Sequence, residues 1–199
     1  MDDVLKNTIN EAISMTDNIP EERKQRLDKL VNYIQKKDKV NLLFVCTHNS
    51  RRSQMSEIWA KIAADYYGIG DNLLTYSGGT EATAFNPRAV KAMETLGFNF
   101  KKEGNENPKY IYSSNGKDYN CFSKKYDDKF NPKENFCAVM TCSDADANCP
   151  YIPGAEERIS ITYNDPKEFD GTAQEEEKYI ERSKQIASEL FYVMSKVKK

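Results

Sequence analysis

Residues 46–53, CTHNSRRS, put a thiol first, an arginine six positions later and a hydroxyl immediately after it. These residue types together suit a tetrahedral oxyanion. The guanidinium of Arg52 is a planar fork that matches two oxygens of such an anion. The main-chain N–H groups of Thr47, His48, Asn49, Ser50, Arg51 and Arg52, if they line a tight loop entering a helix, form an anion nest. The same positive field favours Cys46 as a thiolate nucleophile. Ser53 is placed to hydrogen-bond that sulfur and to assist it as a leaving group. A cysteine and an arginine at this spacing also describe a buried thiol ahead of an ordinary helix start, so the elements on either side must decide.

Residues 40–45 (VNLLFV) read as a buried strand, and Cys46 follows at its carboxyl end. From Ser53 the period becomes helical through Met55, Ile58, Trp59, Ile62, Ala63 and Tyr66, ending near Gly68. Open parallel sheets bind ligands at such strand ends. Further strands are expected at 73–77, 136–141 and 159–163. A helix is expected with Asn86 as its cap, Pro87 at its first position and Gly97 as its stop, and a closing helix over 174–197. This alternation predicts a three-layer α/β fold with a four-stranded, mostly parallel sheet and helices on both faces. Residues 1–38 read as a helical N-terminal extension of two amphipathic helices, and 39–199 as the main domain. Within that domain 101–135 is a polar insertion with a hairpin around Asn115-Gly116. Its tyrosines, Tyr110, Tyr112, Tyr119 and Tyr126, line the cleft, cover it or bind a partner.

With 29 Lys and Arg against 31 Asp and Glu, the net charge is −2. Nothing in that balance suits general nucleic-acid binding, so an anion site must be local. The first residues are too polar and acidic for a secretory signal. No run approaches the ~18 apolar residues of a membrane span, and a cytoplasmic protein is the expectation. Five cysteines are present, Cys46, Cys121, Cys137, Cys142 and Cys149, with one histidine, His48. An odd count without a signal argues against a disulfide framework. The absence of a Cys-x2-Cys knuckle argues against a zinc site built from the last four. Cys137 reads as strand core, and Cys121 has no assignment.

The loop resembles the phosphate-binding loop of the low-molecular-weight protein tyrosine phosphatase superfamily, whose pattern is Cys-x-Gly-Asn-x-Cys-Arg-Ser. His48 stands where that pattern has Gly, and Arg51 where it has a second Cys. The resemblance implies Cys46 as nucleophile, Asn49 as the residue that fixes loop shape, Arg52 as oxyanion clamp and Ser53 as the sulfur's partner. Residues 77–81 (SGGTE), Asn86-Pro87 and 89–93 (AVKAM) continue it. Asn164-Asp165-Pro166, on its own a plain turn, resembles the family's Asp-Pro motif, which implies Asp165 as general acid and base.

Residues 141–149 (TCSDADANC) resemble the redox segment of the thioredoxin-coupled arsenate reductase branch. That implies arsenate reduction through a Cys46, Cys142 and Cys149 relay of thiol exchange. It requires no bound cofactor and takes an external thiol reductant such as thioredoxin; Asn49, Glu57 and Ser77 match positions that hold a potassium ion in that branch, and Glu57 reads equally as a solvated helix carboxylate. Two other functions remain open on the sequence. One is a protein tyrosine phosphatase acting on phosphotyrosine through Cys46, Arg52 and Asp165. The other is a phosphate-loop binding module of little activity. Without the resemblance, Cys142 reads as core and Cys149 as a surface thiol.

Overall fold

The computed structural model describes residues 3–149 and 151–197. Four parallel strands form the central sheet: β1 (Val40–Cys46), β2 (Leu73–Gly79), β6 (Phe136–Met140) and β7 (Ala155–Ser160), in the order β2-β1-β6-β7. A second, antiparallel sheet holds β3 (Lys101–Glu103), β4 (Lys109–Ser114) and β5 (Lys117–Cys121). The helices are α1 (Asp3–Met15), α2 (Glu21–Gln35), α3 (Arg52–Tyr66), α4 (Pro87–Thr95), α5 (Ser143–Asn148) and α6 (Glu175–Val197).

Strand β1 lies between β2 and β6, with Val45 opposite both Gly78 and Met140. It is buried on both faces, as its near-continuous apolar sequence requires. Side-chain alternation divides the core. Leu42 and Phe44 face the larger cluster with Met55, Trp59, Ile186 and Leu190, so α3 and α6 cover that face. Leu43 and Val45 face a smaller cluster with Phe136, Ala138, Met140, Cys142 and Ile152. The layers are unequal: the short helix α5 packs over the second face, assisted by Tyr76 and Tyr126.

The first two helices pack on α6, burying Leu5, Ile9, Leu27, Leu30 and Ile34 in the larger cluster. Asn86 caps α4 by accepting the Arg88 N–H at 2.9 Å, and Gly97 ends it at φ +97°. The hairpin at Asn115-Gly116 has both residues at positive φ (49° and 74°), as a two-residue type I′ turn demands.

Three features depart from the sequence reading. The fourth strand starts at Ala155 rather than 159. Half of its residues, AEERIS, are charged because it is an edge strand with a solvated side, and the apolar Ile161 and Tyr163 continue beyond it, where their N–H groups bond Met140 O and Thr141 O. The 101–135 insertion carries a third strand beside the expected hairpin, β3 to β5 spanning 101–121, and continues without a regular element over 122–135. Its tyrosines face inward: Tyr110 and Tyr112 pack with Phe85, Phe98 and Phe100, and Tyr119 stacks on Tyr112. Residues 143–148 form a helical turn and a half, an element the sequence reading did not place.

Candidate active site

The loop after β1 is fixed from several directions. Asn49 takes φ 47°, the left-handed region that Asn tolerates better than most residues. His48 does not share that region, so a side chain is accommodated where the family pattern has Gly. Asn49 is fully buried. Its Nδ2 donates to Ser53 Oγ at 2.8 Å, and its Oδ1 accepts from Lys124 N at 2.9 Å and Gln54 Nε2 at 3.1 Å. Thr80 N and Glu81 N donate to the carbonyls of Cys46 and Thr47, Asn86 N to that of Ser50, and Ser123 Oγ to that of His48. The loop carbonyls thus point outward into protein donors. The main-chain N–H groups of Thr47, His48, Asn49, Ser50 and Arg51 donate to no protein acceptor among the described residues. This polarity is that of an anion cradle.

Two glycines allow the close approach. A Cβ on Gly79 would lie 2.7 Å from Asn49 N and 2.7 Å from Thr47 O, and one on Gly78 would lie 2.4 Å from Tyr126 Cα.

Cys46 is buried at 4% exposure, with its Sγ 3.0 Å from Ser53 Oγ. Because Asn49 donates to that oxygen, the hydroxyl proton is free to point at the sulfur. Arg52 opens α3 and is also buried. Its Nη1 donates to Tyr163 O at 2.9 Å and its Nη2 to Asp165 Oδ2 at 2.7 Å, while the buried Nε–H lacks a protein acceptor. Asp165 caps a 3-10 turn over Pro166–Phe169 through Lys167 N, so its turn role and its contact with the loop arginine coexist.

The other loop side chains are scaffold. Arg51 reaches away to Tyr179 OH (2.8 Å) and Asp170 (3.6 Å), pinning the closing helix. Ser50 Oγ donates to Ala84 O. Thr47 Oγ1 stands 3.5 Å from Cys142 Sγ.

That last contact brings the second motif to the first. Thr141 N and Oγ1 both bond Val45 O, at 2.7 and 2.9 Å, so Cys142 emerges beside Cys46 at the ends of adjacent strands. Both thiols lie in one apolar cluster. Cys142 is the N-cap of α5, its Sγ accepting Ala145 N–H at 3.3 Å. Cys149 is the C-cap, half-buried, and packs at the edge of the same cluster beside Tyr126. Arg158 of β7 holds this segment: Nε donates to Cys149 O at 3.0 Å, Nη2 pairs with Asp146 Oδ1 at 2.6 Å, and Ser160 Oγ bonds the same carboxylate at 2.5 Å. Cys121 and Cys137 lie apart. Burial pushes both thiols well above the ordinary range, which keeps them protonated and inert.

Glu57 lies a turn into α3, with one carboxylate oxygen sealed and without a hydrogen-bond partner among the described residues. Burial raises the Glu57 carboxyl above its usual range, and the Lys124 ammonium and Ser77 hydroxyl oppose that shift. Oxygen donors of this kind fit a hard cation. Lys124, itself buried, supplies positive charge to the same carboxylate.

Sequence reasoning missed Lys124, Ser123, Tyr163 and Arg158; Tyr126, singled out as a tyrosine lining or covering the cleft, packs against the cluster that holds Cys46 and Cys142. The first two and Tyr163 act largely through main-chain or hydroxyl groups in segments with no regular spacing to the loop. Arg158 alone carried a signal, a charge in a strand beside the cysteine pair.

Residues 41–111 match the family described as low molecular weight phosphotyrosine protein phosphatase. Arsenate reductase 2 of Staphylococcus epidermidis is 34% identical over 129 residues, 65% of this chain and 80% of that protein. An arsenate reductase of Bacillus licheniformis is 30% identical, over 72% of this chain and 86% of that protein. A YwlE mutant from Bacillus subtilis superposes with a TM-score of 0.54 at 17% identity, covering 81% of this chain and 100% of that one, a likeness of fold. The chain belongs to the low-molecular-weight phosphotyrosine protein phosphatase family. Its curated relatives are enzymes, and arsenate reductases are among them.

Proposed function

We propose that this chain reduces arsenate to arsenite by a three-thiol relay, and that residues 39–199 carry the chemistry. Support comes first from the position of Cys142 at the end of the strand beside Cys46, with Cys149 half-buried at the far end of one short helix. The relatives at 30–34% identity named arsenate reductases add to it.

The loop amides of 47–51 and Arg52 Nε bind the oxyanion. The Cys46 thiolate attacks arsenic(V) and a protonated oxygen leaves as water, giving a sulfur–arsenic bond. Cys142 attacks the Cys46 sulfur, the sulfur–arsenic bond breaks, and its electron pair stays on arsenic, which departs as arsenic(III). Cys149 attacks Cys142 in turn and frees Cys46 as thiolate. The Cys142–Cys149 disulfide is then reduced by an external dithiol of the thioredoxin class.

Geometry demands one movement. Cys142 and Cys149 are seven residues apart across α5, or about 10 Å along a helix axis at ~1.5 Å per residue. A disulfide holds its Cα atoms roughly 4.4–6.8 Å apart, so α5 unwinds before that bond closes. Its sequence, SDADAN, has weak helix propensity.

The contact between Asp165 and Arg52 favours a second activity of the same site, hydrolysis of aryl phosphates, with Asp165 protonating the leaving oxygen and then activating water. The first step, attack by Cys46, is common to both. Glu57 and Ser77, with Asn49 nearby, are the residues that would hold a potassium ion. Its role would be to stiffen the loop from behind.

The deciding experiment is a paired assay. Cys142→Ser and Cys149→Ser abolish arsenate turnover with a thioredoxin system and leave aryl-phosphate hydrolysis within about twofold. Normal arsenate turnover in both variants ends the relay.

A further inference from the structure

The two N-terminal helices reach the anion clamp. Arg23 of α2 makes a two-pronged pair with Glu189 of α6, Nε to Oε1 at 2.9 Å and Nη2 to Oε2 at 2.7 Å. Both side chains are largely buried, 15% and 3% exposed. The same guanidinium lies over the ring of Tyr163, 4.9 Å from its centroid. Tyr163 is buried, its N–H bonds Thr141 O at 3.0 Å, and its carbonyl accepts Arg52 Nη1 at 2.9 Å. Asp165 follows two residues later and holds the other prong of Arg52.

We infer that Arg23 is a positioning residue for the oxyanion clamp, acting through Tyr163, so that the N-terminal extension is part of the catalytic apparatus. The physical argument concerns degrees of freedom. Arg52 Nε–H faces the anion only if Nη1 and Nη2 are held, and Nη1 is held by one carbonyl in an extended segment outside the sheet. Tyr163 is anchored there by its N–H to Thr141 O and by its ring, and the ring is clamped on its face by a cation that cannot move without breaking a buried two-pronged ion pair. Stacking by a guanidinium and its fixed fork are properties lysine does not share. Further ties of the extension to α6 lie away from this path: Lys184 to Glu11 at 2.7 Å, Tyr192 OH to Asp28 at 2.9 Å and Gln35 Nε2 to Lys196 O at 2.9 Å.

This inference rests on Arg52 binding the anion, and its test separates the two. Removing Arg23 alone strands a buried carboxylate and risks unfolding, so the variant is Arg23→Met with Glu189→Gln, and Lys184→Gln is the control. Two quantities are measured on the full chain. One is the concentration of inorganic phosphate that protects Cys46 from iodoacetamide. The other is amide hydrogen exchange across residues 161–167. The double variant is expected to need about tenfold more phosphate and to exchange the Tyr163 amide at least about tenfold faster, with β1 unchanged and the control within about twofold of the parent. Both quantities within about twofold in the double variant, or faster exchange with phosphate protection intact, overturns the inference. A parent whose Cys46 phosphate never protects overturns the anion site itself, and an unchanged Tyr163 exchange rate still rejects the brace.

Discussion

Two cysteines leave adjacent parallel strands at the same end of the sheet, and each is followed by a helix, yet their surroundings differ. After Cys46 nearly every polar atom of the loop that points into protein is bonded, to α3, to the residues after β2 and to Ser123 and Lys124. After Cys142 the chain forms a six-residue helix, four of its residues Ser, Asp or Asn, which rank low as helix formers, tied to β7 mainly by one arginine. One region is held by many bonds of which none is decisive. The other is held by few. A nest that must present fixed donors to a small anion belongs to the first kind. A segment that must bring two distant sulfurs together belongs to the second.

Experiments can widen or collapse that contrast. Cys46→Ser removes turnover of arsenate and of aryl phosphate together, to the background rate. Residual activity with either substrate would place the nucleophile elsewhere. Asp165→Asn slows aryl-phosphate hydrolysis by roughly 10²–10⁴, the usual span of a general acid, and an unchanged rate removes it from the mechanism. Arg158→Met loosens α5 and speeds alkylation of Cys142 by about tenfold, as expected for the loss of charge-assisted bonds that are partly solvated. If the rate stays put, α5 is not the weakly held partner. Asn49→Ala costs about 1–3 kcal/mol, since it strands the buried Lys124 amide, removes one bond each from Ser53 and Gln54 and forces alanine into the left-handed region; thermal or urea unfolding reads it directly.

The smallest effect concerns pH. Burial holds the Glu57 carboxyl above its unfolded value, so the folded state keeps a proton that the unfolded state releases. Stability therefore falls as pH rises from the unfolded pKa through the raised folded one. Glu57→Gln is expected to raise Tm at pH 7 and to lose that advantage near pH 4, around the unfolded value of a glutamate. A gain equal at both pH values would mean the carboxylate is not destabilised by burial.

Much of this was legible from residue order alone. The loop, its strand and its helix declared themselves through a change of period from strand to helix at one cysteine, and the α4 cap and stop through Asn86, Pro87 and Gly97. What stayed hidden has a common physical cause. Strand β7 is charged because one side meets solvent, so hydrophobic patterning placed the strand too late. Helix α5 exists by virtue of its docking on the sheet and the Arg158 clasp, against its own propensity. Lys124 and Tyr163 hold the loop through an amide and a carbonyl, and main-chain function leaves no mark on residue type; Ser123 serves through a hydroxyl with no regular spacing to the loop.

The glycine pair ending β2 carries a last consequence. Only a hydrogen fits between Gly79 and the loop, and only a hydrogen between Gly78 and the chain at Tyr126. A saturation library read out by survival on arsenate should therefore return a single amino acid at position 79 and almost none but that one at 78. Those two columns would be as invariant as that of the nucleophile, although neither residue has an atom that takes part in the reaction.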